Sequence, residues 1–263
     1  MQTDILQALA AHAHKRVAQA KEIISEKDME DRALAMSASD SFPFEKALSK
    51  DGLSFICECK KASPSKGLIA PDYDPLTAAK DYAAAGGDCI SVLTEPKWFL
   101  GSSDDLRHVA SAVDLPCLRK DFIIDPYMIY EAKVLGAACV LLICSLLDEA
   151  ALRRAIRLCD RLGLSALVEA HDAEEVRQAD RAGARIIGIN NRNLRDFSVD
   201  LSHAADLEAV VPDHVLFVAE SGIKTPADAA RFRACGADAV LIGEALMRAP
   251  DRRAFLKEMR GEQ

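Results

Sequence analysis

Eight short apolar runs, each parted from the next by a longer stretch, constrain this chain more than any other feature. They are SFICEC from Ser54, DCISVLT from Asp88, PCLRK from Pro116, ACVLLIC from Ala138, LSALVEA from Leu164, RIIGIN from Arg185, HVLFVAE from His214 and DAVLIG from Asp238. Helical patterns lie between them, for instance over residues 75–85, 126–135, 148–162, 173–182 and 226–234. A glycine precedes four of the runs, in Gly86-Gly87-Asp88, Gly136-Ala137-Ala138, Gly183-Ala184-Arg185 and Gly236-Ala237-Asp238. A glycine there ends a helix by taking the left-handed conformation. Strands alternating with helices imply parallel pairing through crossovers. Eight such units suit a (β/α)8 TIM barrel, which typically takes about 250 residues. The rival is a doubly wound open sheet, which usually carries G-x-G-x-x-G after its first strand. Here KKASPSKG follows instead, and the barrel is favoured. In residues 1–47 or so, Ile5, Leu6, Leu9, Ala13 and Val17 fall at helical spacing. Residues 1–263 are therefore expected to form one barrel domain with an N-terminal helical extension.

Composition narrows the partners. Lys and Arg number 33 against 41 Asp and Glu, a net charge of −8. That balance argues against nucleic acid or an anionic membrane as the main ligand, yet permits a locally cationic site for a small anion. Apolar stretches such as residues 137–143 fall far short of the roughly 20 residues a membrane helix needs. The first residues lack the charged-then-apolar layout of a signal peptide. Eight cysteines occur without a CxxC, mostly inside apolar runs. No disulfide or zinc framework is expected, and the reducing cytoplasm is the natural compartment. His12, His14, His108, His171, His203 and His214 show no metal-ligand spacing. A monomer is expected.

Side chains alternate along a strand, so residues two apart share a face. Glu58 and Lys60 then follow Ile56, Lys120 follows Leu118, Glu169 follows Leu167, Asn190 follows Gly188 and Glu220 follows Val218. A lone strand-end charge can simply turn into solvent. Five coincident cases at the mouth where barrel enzymes build their sites argue otherwise. Charges inside a barrel cost several kcal/mol each, roughly, unless they face one another. Arg119 alternates to the outer layer and is expected to matter little to turnover.

The seventh run ends in Glu220-Ser221-Gly222 and the eighth in Ile242-Gly243-Glu244-Ala245. Loops after these two strands form the usual barrel phosphate site, where backbone N–H groups meet the anion. The Glu244 carboxylate would repel phosphate and should point away. Trp98-Phe99 and Phe122 either wall an aromatic substrate or pack beneath the loops.

These motifs, in order, resemble the indole-3-glycerol phosphate synthase family over nearly the whole chain. The most specific match is Glu58-Cys59-Lys60-Lys61-Ala62-Ser63-Pro64-Ser65-Lys66-Gly67. Thr94-Glu95, Phe99 with Gly101-Ser102, Arg119-Lys120-Asp121-Phe122, Leu167-Val168-Glu169, residues 188–194, residues 219–223 and residues 242–247 follow in register. Asn193 stands where the family often has Asp, and Trp98 where a smaller residue or Tyr is common. The resemblance implies ring closure of 1-(2-carboxyphenylamino)-1-deoxyribulose 5-phosphate with loss of CO2 and water. It implies Lys120 as general acid, its pKa lowered toward neutrality by burial and Lys60. Lys60 would pair with the substrate carboxylate, and Glu169, with Glu58 sharing the work, would move protons. Asn190 and Ser221 would orient, and Glu220 would hold a lysine or substrate hydroxyls. Ser63 would contact substrate, Arg192, Gly222, Gly243 and Glu244 would surround the phosphate, and Phe99 and Phe122 would flank the anthranilate ring. No cofactor and no metal is expected. The implied partner is a phosphorylated aromatic amino-sugar. Alternatives are another sugar-phosphate barrel such as the preceding isomerase, a Schiff-base aldolase using Lys120, and a catalytically dead scaffold.

Overall fold

A computed structural model of the chain describes residues 5–38, 41–70, 73–193 and 197–261. All eight apolar runs are strands, β1 Ser54–Cys59, β2 Cys89–Leu93, β3 Cys117–Lys120, β4 Cys139–Ile143, β5 Ser165–Ala170, β6 Ile186–Asn190, β7 Leu216–Glu220 and β8 Ala239–Ile242. They pair in parallel and in sequence, and β8 closes on β1. The sequence reading of a (β/α)8 barrel holds. Gly86, Gly136, Gly183 and Gly236 all have φ between 75° and 93°, the left-handed helix ends read from their spacing. Aspartates after two of these turns do a further task. Asp88 accepts from the Phe55 N–H and Asp238 from the Phe217 N–H, at 2.9 and 2.7 Å. Each thereby satisfies a strand-start donor that the ladder leaves free.

Two apolar layers follow from the alternation. Ile56, Leu118, Leu141, Leu167, Ile186, Val218 and Leu241 fill the barrel interior. Phe55, Val92, Val140, Val168, Ile187, Phe217 and Val240 pack outward into the layer that includes helix residues. The helices after β1 to β5 are α4 Pro75–Ala84, α5 Ser103–Ala112, α6 Pro126–Val134, α7 Glu149–Leu162 and α8 Ala173–Ala182. After β6 to β8 come α9 Ser202–Leu207, α10 Pro226–Ala234, then α11 Glu244–Arg248 and α12 Arg252–Arg260. The N-cap side chains of Asp74, Asp125, Asp148, Asp172 and Thr225 accept from first-turn N–H groups.

The N-terminal extension differs from a continuous helix. Its described part is three helices, α1 Ile5–Ile23, α2 Glu26–Ala35 and α3 Pro43–Leu48. Ser25 breaks the first from the second by capping Asp28 N–H, and Pro43 starts the third at a position where no N–H is needed. The segment runs from the mouth of the barrel to its floor. Arg16 makes two hydrogen bonds to Asp121, of 3.0 and 2.6 Å, just past β3. On α2, Glu30 accepts from Tyr130 of α6 at 3.0 Å. At the far end Phe44 and Leu48, both fully buried, join the interior cluster, while Arg185 grips Glu45 through two bonds of 2.8 and 2.9 Å. The extension is thus a strap with a plug.

Arg119 does point outward, but it is 1% exposed and wedged between β3 and α6. Its guanidinium donates to the Met128 carbonyl at 2.8 Å and pairs with Glu131 at 2.6 Å. Its contacts are structural, so its removal is expected to show in stability rather than in turnover of the folded protein. Arg119→Ala would leave Glu131 and Asp121 short of a buried partner, and stability should fall by roughly 3–5 kcal/mol. Urea denaturation checks this; a loss below about 1 kcal/mol, the worth of an exposed pair, would contradict it.

Candidate active site

The strand register sets the polar residues at one level. Leu93 is paired with Lys120, Ile143 with Glu169 and Asn190 with Glu220. Above this level opens a cavity of about 640 Å³. It is lined by Glu58, Lys60, Ser63, Phe99, Lys120, Phe122, Glu169, Asn190, Arg192, Glu220, Ser221, Gly222, Gly243 and Glu244. All fourteen residues singled out in the sequence thus line a single cavity. Three further wall residues, Ile5, Leu6 and Leu9, come from α1.

Lys120 sits at the centre. Its Nζ lies 2.8 Å from Glu220 Oε2 and 3.2 Å from Glu169 Oε2. Burial alone would pull this ammonium down, but the Glu220, Glu169 and Glu58 carboxylates outweigh it and hold its pKa well above the ordinary lysine value. The expected lowering toward neutrality is therefore overturned. The reason is charge count, since Lys60 pairs with Glu58 rather than pressing on Lys120.

The two carboxylates on Lys120 differ. Glu169 is desolvated, yet Lys120, His171 and Asn190 hold its pKa well below the usual carboxylate range. Asn190 donates to Glu169 Oε1 at 3.1 Å, and its own Oδ1 accepts the Arg192 N–H at 3.0 Å. Glu220 goes the other way. Burial, reinforced by the charge of Glu169, raises it to about 7 despite Lys120. Its Oε1 is buried without a hydrogen-bond partner. Two neighbouring acids pushed apart in this way can play opposite proton-transfer roles.

Two glycines make the cluster possible. A β-carbon at Gly188 would collide with the Glu220 carboxylate, and one at Gly243 with that of Glu58. Just past β7, Ser221 and Gly222 are consecutive left-handed residues, with φ of 66° and 87°. Asn191 donates to the Glu220 and Ser221 carbonyls at 3.0 and 3.2 Å, fixing that turn. Glu244 pairs its carboxylate with Arg248 of the same helix, at 3.2 Å. Phe99 and Phe122 face each other with ring centroids 6.0 Å apart.

The profile of the family described as indole-3-glycerol phosphate synthase matches residues 6–259. The chain belongs to this family. A relative of that name from Ruminiclostridium cellulolyticum is 51% identical over 257 residues, covering 98% of this chain and 99% of the relative. Another, from Endomicrobium trichonymphae, is 47% identical over 256 residues, covering 97% and 99%. Among solved structures, 3-hexulose-6-phosphate synthase from Salmonella typhimurium superposes with a TM-score of 0.66 at 15% identity. It covers 80% of this chain and 97% of that one, and shows the fold alone.

Residues outside the sequence-derived set complete this family member's site. Glu95, fully buried, accepts the N–H groups of Lys97, Trp98 and Phe99 and a bond from His12 Nδ1 at 3.1 Å. It organises the loop that carries Phe99. Asp121, also buried, ties Arg16 and Thr94 to the Phe122 N–H. His171 stands beside Glu169, at 3.3 Å. The alternation that pointed to Glu169 also points to His171, two residues on. Leu194, in a quoted motif, lies outside the described residues. Among the described residues no cluster of His, Cys, Asp or Glu could hold a metal, and no helix is long and apolar enough to cross a membrane.

Proposed function

We propose that the chain, acting as one unit of extension and barrel, converts 1-(2-carboxyphenylamino)-1-deoxyribulose 5-phosphate to indole-3-glycerol phosphate, CO2 and water. The observation that carries this reading is the placement of Lys120 Nζ between two carboxylates, with an aromatic pair and a glycine-rich turn lining the same cavity. The aromatic carbon bearing the carboxylate attacks the substrate ketone. Lys120 gives its proton to the carbonyl oxygen as that oxygen gains charge. A developing alkoxide is more basic than an amine, so the donor needs no lowered pKa; it needs to be charged and aimed. Lys60 meets the substrate carboxylate until CO2 departs and its bonding electrons pass into the ring system. The new hydroxyl then takes a proton relayed from solvent by Glu58 and leaves as water, while Glu169, ionised, accepts the proton lost from the neighbouring ring carbon, whose C–H electrons form the double bond. That proton returns to Lys120 across the 3.2 Å contact. Glu58 shares this acid–base work, Asn190 and Ser221 orient the substrate, Ser63 contacts it, and Glu220 keeps Lys120 in place.

Phe99 and Phe122 flank the anthranilate ring, with Ile5, Leu6 and Leu9 of α1 adding an apolar wall. Arg192, Gly222, Gly243 and the Glu244 N–H surround the phosphate. A Schiff-base aldolase reading would need a neutral Lys120 with a free lone pair, and the flanking carboxylates oppose that. We place the chain in the cytoplasm as a monomer. Incubation with the substrate should generate indole absorbance and fluorescence together with CO2. Product absent after prolonged incubation of folded protein would refute the reading. A crystal soaked in inorganic phosphate should show an anion between Ser221–Gly222 and Gly243–Glu244. An anion bound only elsewhere in the mouth would refute that subsite.

A further inference from the structure

Among the described residues, His171 is the one histidine in contact with the lysine–carboxylate cluster. It follows β5 directly, so its side chain continues the inward column begun by Leu167 and Glu169. Its ring lies between two carboxylates. Nε2 is 3.3 Å from Glu169 Oε1, and Nδ1 is 3.3 Å from Glu175 Oε2 on α8. The backbone is pinned as well. The His171 N–H donates to Glu175 Oε2 at 2.8 Å, and the His171 carbonyl accepts from His203 Nε2 of α9 at 2.8 Å. Beyond Glu169 the next charge is Lys120, 3.2 Å from that carboxylate. The groups facing His171 are therefore Glu169 on β5, Glu175 on α8 and His203 on α9, with Lys120 of β3 behind Glu169.

From this geometry we infer that His171 is a positioning residue, an imidazolium that holds Glu169 ionised and in place for proton transfer. The inference rests on the proposed role of Glu169 as the proton acceptor. Two cations, Lys120 on Oε2 and His171 beside Oε1, then bracket one carboxylate. Burial works against the charged ring, but attraction from Glu169 and Glu175, with the Nδ1 bond to Glu175, carries it up to about 10. The imidazole thus stays charged wherever Glu169 is asked to act as a base. Glu175 is the outer anchor, so charge runs Lys120, Glu169, His171, Glu175 with alternating sign from the barrel interior to the helix layer. At 3.3 Å the Nε2–Glu169 contact lacks the alignment of a hydrogen bond, so a neutral ring would do little for Glu169, whereas a charged one adds an attraction that a low-dielectric site strengthens.

Two measurements test this, one independent of turnover. An NMR titration of the wild-type histidine rings should find His171 still protonated at about pH 8, far above the ordinary histidine value of about 6.5. In Glu169→Gln its midpoint should fall by at least about one pH unit. A wild-type His171 that titrates near 6.5 overturns the inference whatever the enzyme catalyses. In kinetics, His171→Ala should lower kcat by about 10–100-fold, the effect of withdrawing a neighbouring positive charge from a desolvated carboxylate. KM should change less than about threefold, and the acidic limb of the kcat profile should move to higher pH. His171→Gln, which can donate but carries no charge, should recover part of kcat while leaving the limb displaced. An unmoved limb in folded His171→Gln overturns the inference, as does full activity in His171→Ala. If His171→Ala fails to fold, Glu175→Gln reads the same chain, and its His171 midpoint must fall. A wild type that makes no indole product but shows the raised His171 midpoint would refute the proposed function and leave the ion pair standing.

Discussion

Lys120→Ala is expected to lose about 10²–10⁴-fold in kcat while KM moves only a few-fold, a barrier increase of roughly 3–5 kcal/mol. The argument begins at β3, where Leu118 fills the barrel interior and Lys120, two residues on, enters the cavity. Its ammonium is fixed by Glu220 at 2.8 Å and Glu169 at 3.2 Å, so its place does not depend on substrate. A donor that acts on charge developing at the ketone oxygen contributes mainly in the transition state. Its removal must therefore appear in kcat. Alanine also leaves Glu169 and Glu220 facing each other without their shared cation, and both should become harder to ionise. Steady-state kinetics on the purified variant check the split. A raised KM with kcat intact would make Lys120 a binding residue and leave Lys60 as the leading acid.

Cutting the N-terminal strap should give two distinct outcomes. A chain that lacks α1 but keeps α3 loses Ile5, Leu6 and Leu9 from the cavity wall and Arg16 from Asp121. KM should rise at least about tenfold, since apolar side chains are worth roughly 1.5–3 kcal/mol each when buried. A chain that starts near Ser49 also loses Phe44 and Leu48 from the barrel floor and Glu45 from Arg185. It should fail to fold, because that floor would open the interior cluster to water. Circular dichroism separates the cases. Wild-type kinetics in the shorter chain would show that the extension has no part in the site.

The barrel itself was legible because β-strands buried on both faces read as apolar runs, and helix ends need glycine. Period-two alternation then located Lys60, Lys120, Glu169, Asn190 and Glu220 without further information. Three things escaped that reading. The breaks in the extension at Ser25 and Pro43 were not read, because they interrupt it without changing its helical composition. Glu95 and Asp121 were quoted only inside motifs, since their work is to gather N–H groups and an arginine from a distant helix. The direction of the Lys120 shift was misjudged because sequence shows which charges share a mouth but not how they pair. Lys60 is taken up by Glu58, which leaves Lys120 among carboxylates. The resemblance to the family carried the chemistry; the residues alone carried a charged barrel mouth with a phosphate-shaped turn.

The acid role of Lys120 is tested most directly by the pH profile of kcat/KM, which reports the free enzyme. Lys120 is raised above the ordinary lysine value and Glu169 is depressed, so both keep their charges through the neutral and mildly alkaline range. The acidic limb belongs to Glu169, the proton acceptor, whose pKa Lys120, His171 and Asn190 hold below the usual carboxylate range. On the basic side kcat/KM should stay level to at least about pH 9, below the ordinary lysine pKa of about 10.4, and fall only beyond it. A basic limb with a midpoint near pH 7–8, absent from Lys120→Ala, would mean that the lysine is a neutral-range acid after all and would contradict the charge assignment on which the mechanism rests.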